Sequence, residues 1–205
     1  MIKGVIFDID GTLLDTMGIW EEAGARYLKK FGIEAEENLS EILFDMSLEE
    51  GAEYMKKRYG LEDSEEAVVE GVIKVVADFY YYEAEAKTGM LDIVRDFHSK
   101  GTPMILATSG AKETSVAALE RVGMWQYFEG ILTASELQTT KHDAKIYLEA
   151  AKALGSAPEE TAVYEDLVYA ARTAKNAGFY VVGVYDKFSD DAWEELEAIA
   201  DEVIK

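Results

Sequence analysis

Two aspartates one residue apart, Asp8 and Asp10, close an apolar run and open a glycine turn in Val5-Ile6-Phe7-Asp8-Ile9-Asp10-Gly11-Thr12. Val5 to Ile9 is short, rich in β-branched and aromatic residues and lacks alternation, which predicts a strand buried on both faces of a parallel sheet. Aspartate is disfavoured inside strands, so two at a strand exit point to a chemical site. The competing reading is that both carboxylates cap turns or the following helix.

Composition narrows the chemistry. The chain has 205 residues, 49% hydrophobic and 30% charged, enough for a full core and a smaller second domain. Lys and Arg number 20 against 41 Asp and Glu, a formal charge of -21 that repels nucleic acid and anionic lipid. An anionic substrate would be repelled as well, unless a bound cation and a few fixed positive groups reverse the potential locally. There is no cysteine, so thiolate nucleophiles and zinc-thiolate sites are excluded. His98 and His142 are the only histidines, too few for a multi-histidine metal site. Oxygen-ligand metals remain. No leader and no membrane-length apolar run is read at the start, which predicts a soluble, cytoplasmic protein.

The elements that must position the aspartates follow from two textures. From Met17 to about Glu85 the chain reads as three or four helices, with Trp20, Ala23, Tyr27, Leu28, Phe31 and Val68, Val72, Val75, Val76, Phe79 at helical spacing. Ser47 and Ser64 are expected N-caps, and Ser47-Leu48-Glu49-Glu50 fits a capping box. The run Tyr80-Tyr81-Tyr82 is expected to pack. After Thr88-Gly89 helices and strands alternate, the signature of a parallel α/β sheet. Strands are predicted at Pro103 to Ala107, Gly130 to Thr133, Thr161 to Tyr164 and Tyr180 to Val184, with a last one at Glu202 to Ile204.

Right-handed crossovers bring the carboxyl ends of such strands to one edge, where ligands bind. That edge would collect Asp8 and Asp10, then Thr108-Ser109-Gly110, then Glu165-Asp166, with Lys141 in the loop after the third of these core strands. Singly, each has a plain reading: Thr108, Ser109 and Asp166 as N-caps, Lys141 as a surface lysine. Together they combine acids suited to Mg²⁺, a hydroxyl beside helix amides that can cradle an anion, and one cation. Such a set describes phosphoryl transfer.

These motifs resemble those of the haloacid dehalogenase superfamily, in the branch with an α-helical cap inserted after the first strand. The likeness covers essentially the whole chain: Asp8-Ile9-Asp10-Gly11-Thr12, Thr108 closing Leu106-Ala107-Thr108, Lys141 before a helix, and Glu165-Asp166 before the helix Ala170 to Ala177. Relatives commonly carry prolines after the lysine, where this chain has His142 and Ala144, and a Ser and a Gly after the acidic pair, where it has Leu167 and Ala170. Lys145 is a second candidate for the lysine. The resemblance implies a Rossmann-like parallel sheet core, residues 1–15 and 88–205, flanked by helices, with an α-helical cap at 16–87.

For function, the resemblance implies a Mg²⁺-dependent phosphatase acting on a small phosphorylated metabolite of the sugar, polyol or glycolate phosphate type. Asp8 would be the nucleophile and Asp10 the general acid and base. The metal would take Asp8, the Asp10 carbonyl and Asp166, with Glu165 orienting bound water. Thr108, Ser109, Gly110 and Lys141 would bind the phosphoryl group. Trp20 and the loop from about Glu34 to Ser47 are the candidate substrate-sampling positions of the cap, and for both packing is at least as good a reading. A β-phosphoglucomutase-like mutase is the nearest rival, and the lack of Lys or Arg from Glu34 to Glu50 argues against it. A non-catalytic binding module of the same fold is the remaining alternative. The expected state is a monomer or weak homodimer.

Overall fold

The computed structural model describes residues 1–44 and 46–205; Asp45, within the stretch 34–47 expected to sample substrate, lies outside the described residues. In chain order the elements are β1 (Gly4–Phe7), β2 (Leu14–Asp15), α1 (Ile19–Lys29), α2 (Leu39–Phe44), α3 (Leu48–Tyr59), α4 (Glu65–Tyr82), β3 (Glu85–Ala86), α5 (Met90–Ser99), β4 (Met104–Thr108), α6 (Lys112–Arg121), β5 (Ile131–Thr133), α7 (Lys145–Leu154), β6 (Thr161–Glu165), α8 (Val168–Asn176), β7 (Tyr180–Val184), α9 (Trp193–Ile199) and β8 (Glu202–Ile204). They fall into two units, Met1–Thr16 with Ala84–Lys205, and Met17–Glu83.

The first unit is built on a parallel sheet with strand order β5-β4-β1-β6-β7-β8. β1 lies between β4 and β6, in register Phe7↔Leu106 and Phe7↔Tyr164, so strand order reverses on either side of it. That reversal makes a crevice at the carboxyl ends, the place where open α/β sheets bind ligands. Val5, Ile6 and Phe7 are fully buried because both faces are covered. On one face Ile6, Ile105 and Val163 pack with Ile146 and Tyr147 of α7 and with Ala171 and Ala174 of α8. The small residues of α8 let that helix lie close to the sheet. Phe7 also makes ring contacts with Phe97, Phe128 and Tyr164.

β1 ends at Phe7, two residues earlier than the apolar run predicts. The Ile9 carbonyl accepts from the amides of Thr12, Leu13 and Leu14 at 3.3, 2.9 and 2.9 Å, so the chain is already turning there. A short antiparallel pair, Leu14↔Ala86 and Asp15↔Glu85, joins the segments where the chain leaves and re-enters the first unit.

The second unit contains α1 to α4. The Ser47 capping box forms, with Glu50 N donating to Ser47 Oγ at 3.2 Å and Ser47 N to Glu50 Oε2 at 2.8 Å. Ser64 Oγ accepts from Ala67 N at 3.2 Å and caps α4, which buries Val68, Val72, Val75, Val76 and Tyr80. Two expectations are corrected. The buried stripe of α1 is Ile19, Ala23, Tyr27 and Leu28, whereas Trp20 and Phe31 are about half exposed within the stripe proposed from spacing. Of the tyrosine run only Tyr80 is buried, because one turn of helix cannot point three consecutive residues inward. No helix among the described residues is long and apolar enough to cross a membrane.

Candidate active site

β1 and β6 run side by side, so the residues leaving their carboxyl ends emerge together. The Asp8 amide donates to the Tyr164 carbonyl at 3.0 Å, extending the ladder by one bond beyond β1. Asp8 is 5% exposed, Glu165 at the end of β6 is 0% and Asp166 1%. One carboxylate oxygen from each lies within 4.8 Å of the other two. Three acids at that spacing and burial repel one another, and buried charge demands compensation.

Lys141 supplies part of it. It stands in the turn before α7, 3% exposed, and its ammonium donates to Asp8 Oδ1 and to Glu165 Oε1, the latter at 2.6 Å. The surface-lysine reading is thereby excluded. Lys145, the second candidate, is exposed and donates instead to the Leu137 carbonyl at 2.6 Å. Asp143 Oδ1 accepts from Lys145 N at 2.9 Å, a polar turn that opens α7. The Tyr147 hydroxyl donates to Glu165 Oε1 at 2.8 Å. This contact escaped the motif reading. Its signal is the tyrosine itself, because a buried phenol on a core helix face must find a partner.

The turn after β1 completes one side of the site. Gly11 adopts φ +78°, a left-handed conformation that lets the chain fold back, and its amide donates to the Leu14 carbonyl at 2.9 Å. Thr12 donates to Asp166 Oδ1 at 3.2 Å, and Thr16 donates to Asp10 Oδ1 at 2.7 Å. From β4, Thr108 is 1% exposed and its hydroxyl accepts from Gly110 N at 2.9 Å. A Cβ on Gly110 would stand 2.9 Å from Asp10 Oδ2, so the absence of a side chain lets this loop approach the acid. Ser109 is exposed. The N-cap of α6 is Ala111 and that of α8 is Leu167, neither with a side-chain cap bond, so the capping roles open to Thr108, Ser109 and Asp166 are not realised. Ser115, fully buried on α6, has an unpartnered hydroxyl 3.5 Å from the same Gly110 Cβ position.

The electrostatics follow from this packing. Burial pushes the Glu165 carboxyl up to about 7; Lys141 opposes the shift and the Asp8 charge adds to it. Asp166 is raised well above the ordinary aspartate value, by burial first and then by Asp8 and Glu165. Burial works against the Lys141 ammonium, but Asp8 and Glu165 outweigh it and its pKa is raised. Lys141 is therefore a fixed positive charge at neutral pH, while the acids lack enough positive charge.

The donor set fits a hard divalent cation. Glu165 Oε2 and Asp166 Oδ2 are buried without a hydrogen-bond partner, and all candidate ligands are carboxylate oxygens. Such an ion would relieve the repulsion that raises both acids. Trp20 belongs to the second unit, about half exposed, and none of the contacts above involves it.

The fold is an α/β one, and acids, a hydroxyl and one lysine gather at the carboxyl edge of its parallel sheet. Residues 5–184 match the family model of haloacid dehalogenase-like hydrolases. The chain belongs to that family. It is 26% identical over 190 residues to a phosphorylated carbohydrates phosphatase of Thermotoga maritima, covering 92% of this chain and 88% of that one. It is also 26% identical over 185 residues to hexitol phosphatase A of Escherichia coli, with 89% and 82% covered. A crystal structure assigned to β-phosphoglucomutase of Thermotoga maritima superimposes with a TM-score of 0.87 at 27% identity, covering 100% of this chain and 94% of that one. The phosphatases among these relatives put the protein on the phosphoryl-transfer side of its family.

Proposed function

We propose that the protein is a Mg²⁺-dependent phosphatase of small phosphorylated sugars or polyols, working through an aspartyl-phosphate on Asp8. The observation that carries this reading is the meeting of Asp8, Glu165, Asp166 and Lys141 at one strand edge, with two buried carboxylate oxygens left unpartnered. The names of the phosphatase relatives supply the substrate class.

In the proposed mechanism an Asp8 carboxylate oxygen attacks phosphorus, the ester P–O bond breaks, and the leaving alkoxide takes a proton from Asp10. Water then attacks the phosphoryl group and gives its proton back to Asp10. The Asp8–phosphorus bond breaks and inorganic phosphate leaves. Lys141 shields Asp8 from the substrate's negative charge, while Thr108 with the Ser109 and Gly110 amides holds phosphoryl oxygens. Mg²⁺, held by Asp8, Asp166 and the Asp10 carbonyl with Glu165 alongside, would neutralise charge that develops on the phosphoryl oxygens. Residues 16–87 serve in this reading as the cap, with Trp20 a candidate for substrate choice.

Asp8→Asn should abolish hydrolysis of p-nitrophenyl phosphate, and EDTA should do so reversibly, with Mg²⁺ restoring the rate. Turnover surviving either treatment would overturn the assigned roles. Equal, negligible turnover by wild type and Asp8→Asn across a panel of phosphate esters would favour a binding module. The likeness to a β-phosphoglucomutase structure favours a mutase as the second reading. Glucose 1-phosphate separates the two: a phosphatase releases inorganic phosphate, a mutase yields glucose 6-phosphate.

A further inference from the structure

Lys87 takes no part in the chemistry above, yet it holds the turn that carries Asp10 at two points. It follows β3 directly. Its amide donates to the Leu13 carbonyl at 2.8 Å, and its ammonium donates to the Gly11 carbonyl and pairs with Asp186 Oδ2 at 2.6 Å. Asp186 is 3% exposed, in the segment after β7. Its other oxygen accepts from Phe188 N at 2.9 Å, and its carbonyl accepts from Ser189 N at 3.0 Å, so this carboxylate is itself held rigidly. One ammonium thus ties together the turn after β1, the returning strand and the β7 exit.

Stability is a poor account of this arrangement. A buried ion pair loses in desolvation much of what it gains in attraction, and apolar replacements often do as well. What the pair adds is direction, because Asp186 aims the ammonium at Gly11. The amides of residues 11 to 14 are used inside the turn, on the Ile9 and Leu14 carbonyls, so their bonds do not anchor the turn to the sheet. Thr12 and Thr16 tie it on one side, to Asp166 and to the Asp10 carboxylate. Lys87 fastens the residue between Asp10 and Thr12 from the other.

We propose that Lys87 is a positioning residue: its ammonium, oriented by Asp186, fixes the Gly11 carbonyl and thereby the point from which Asp10 gives its proton to the leaving group. The proton-transfer part of this rests on the phosphatase reading; the clamp itself does not.

The test uses full-length Lys87→Met, Asp186→Asn and the double variant, which removes the unpaired buried charge either single change leaves behind. Amide hydrogen exchange over residues 10–14 should quicken about tenfold or more in the double variant, while amides of β7 keep their wild-type rates. Wild-type exchange in that turn would overturn the clamp. With Mg²⁺ present, kcat should then be compared on p-nitrophenyl phosphate, whose leaving group needs little protonation, and on sorbitol 6-phosphate, whose alkoxide does. General acid catalysis is worth about 10²- to 10⁴-fold, so partial misplacement of Asp10 should lower kcat about tenfold more on the alkyl ester. Lys87→Arg should restore part of the difference. Equal loss on both esters, or a change confined to KM, would refute the link to Asp10. If wild type hydrolyses neither ester, the phosphatase reading fails, and the exchange rates still decide the clamp.

Discussion

Glu165 should give the metal-free protein a stability that falls as pH rises. Its carboxyl moves from an ordinary 4.5 to about 7 in the folded chain, with burial the largest cause. Between those values the folded state keeps a proton that the unfolded state releases, so raising the pH favours unfolding. The contribution is complete at pH 4.5, is lost through pH 7, and is flat above about pH 8. A shift of that size corresponds to about 3 kcal/mol. Asp166 moves in the same direction and steepens the slope. Lys141, raised above its ordinary value, stays charged throughout and adds no slope. For a chain of this length the loss is roughly 6–12 °C in melting temperature between pH 5 and 8. Calorimetry in EDTA measures it, with Glu165→Gln as the control that keeps an acceptor for Lys141 and Tyr147 but cannot ionise. The slope left in Glu165→Gln belongs to Asp166 and to the formal charge of -21. Mg²⁺ should flatten the wild-type slope, because it favours the ionised acids. Identical slopes in wild type and Glu165→Gln would refute the reasoning.

Lys141→Met leaves Asp8 and Glu165 facing each other without their cation and should destabilise by about 3–5 kcal/mol in urea unfolding, with a smaller loss in a Glu165→Gln background. Gly110→Ala places a methyl group 2.9 Å from Asp10 Oδ2. Relief to ordinary contact takes a shift of about 0.5 Å, and about 1 Å at a reacting group is worth about 10²-fold, so kcat should fall about tenfold while the melting temperature holds within a few degrees. Ser47→Ala removes the capping box of α3 and should cost about 1 kcal/mol, read as a lower urea midpoint, without changing turnover of p-nitrophenyl phosphate.

The sheet and the gathering of acids at its edge were legible because both are written at strand ends. An apolar run followed by an acid, a hydroxyl or an acidic pair carries strand and candidate site in the same few residues, as at Asp8, Thr108 and Glu165. Lys141 was legible only beside the other residues of the strand ends; alone, it looks like any lysine in a turn. Contacts set by packing were not legible. Tyr147 reads as core, and only the structure turns its hydroxyl toward Glu165. Lys87 and Asp186 stand far apart in sequence, and their pairing depends on β7 lying where the sheet order puts it. The two-residue strands β2 and β3 are too short to show any period. Trp20 failed differently: Ile19 and Trp20 both fit an apolar stripe over α1, and a one-residue shift in phase exchanges which of them is inside.

The bridge between Leu14–Asp15 and Glu85–Ala86 has an architectural consequence. Because departure and return pair at one spot, the length of chain between them places no demand on the spacing of β1 and β4. Helices can be gained or lost in that stretch while β1 keeps its register with β4 and β6 on either side.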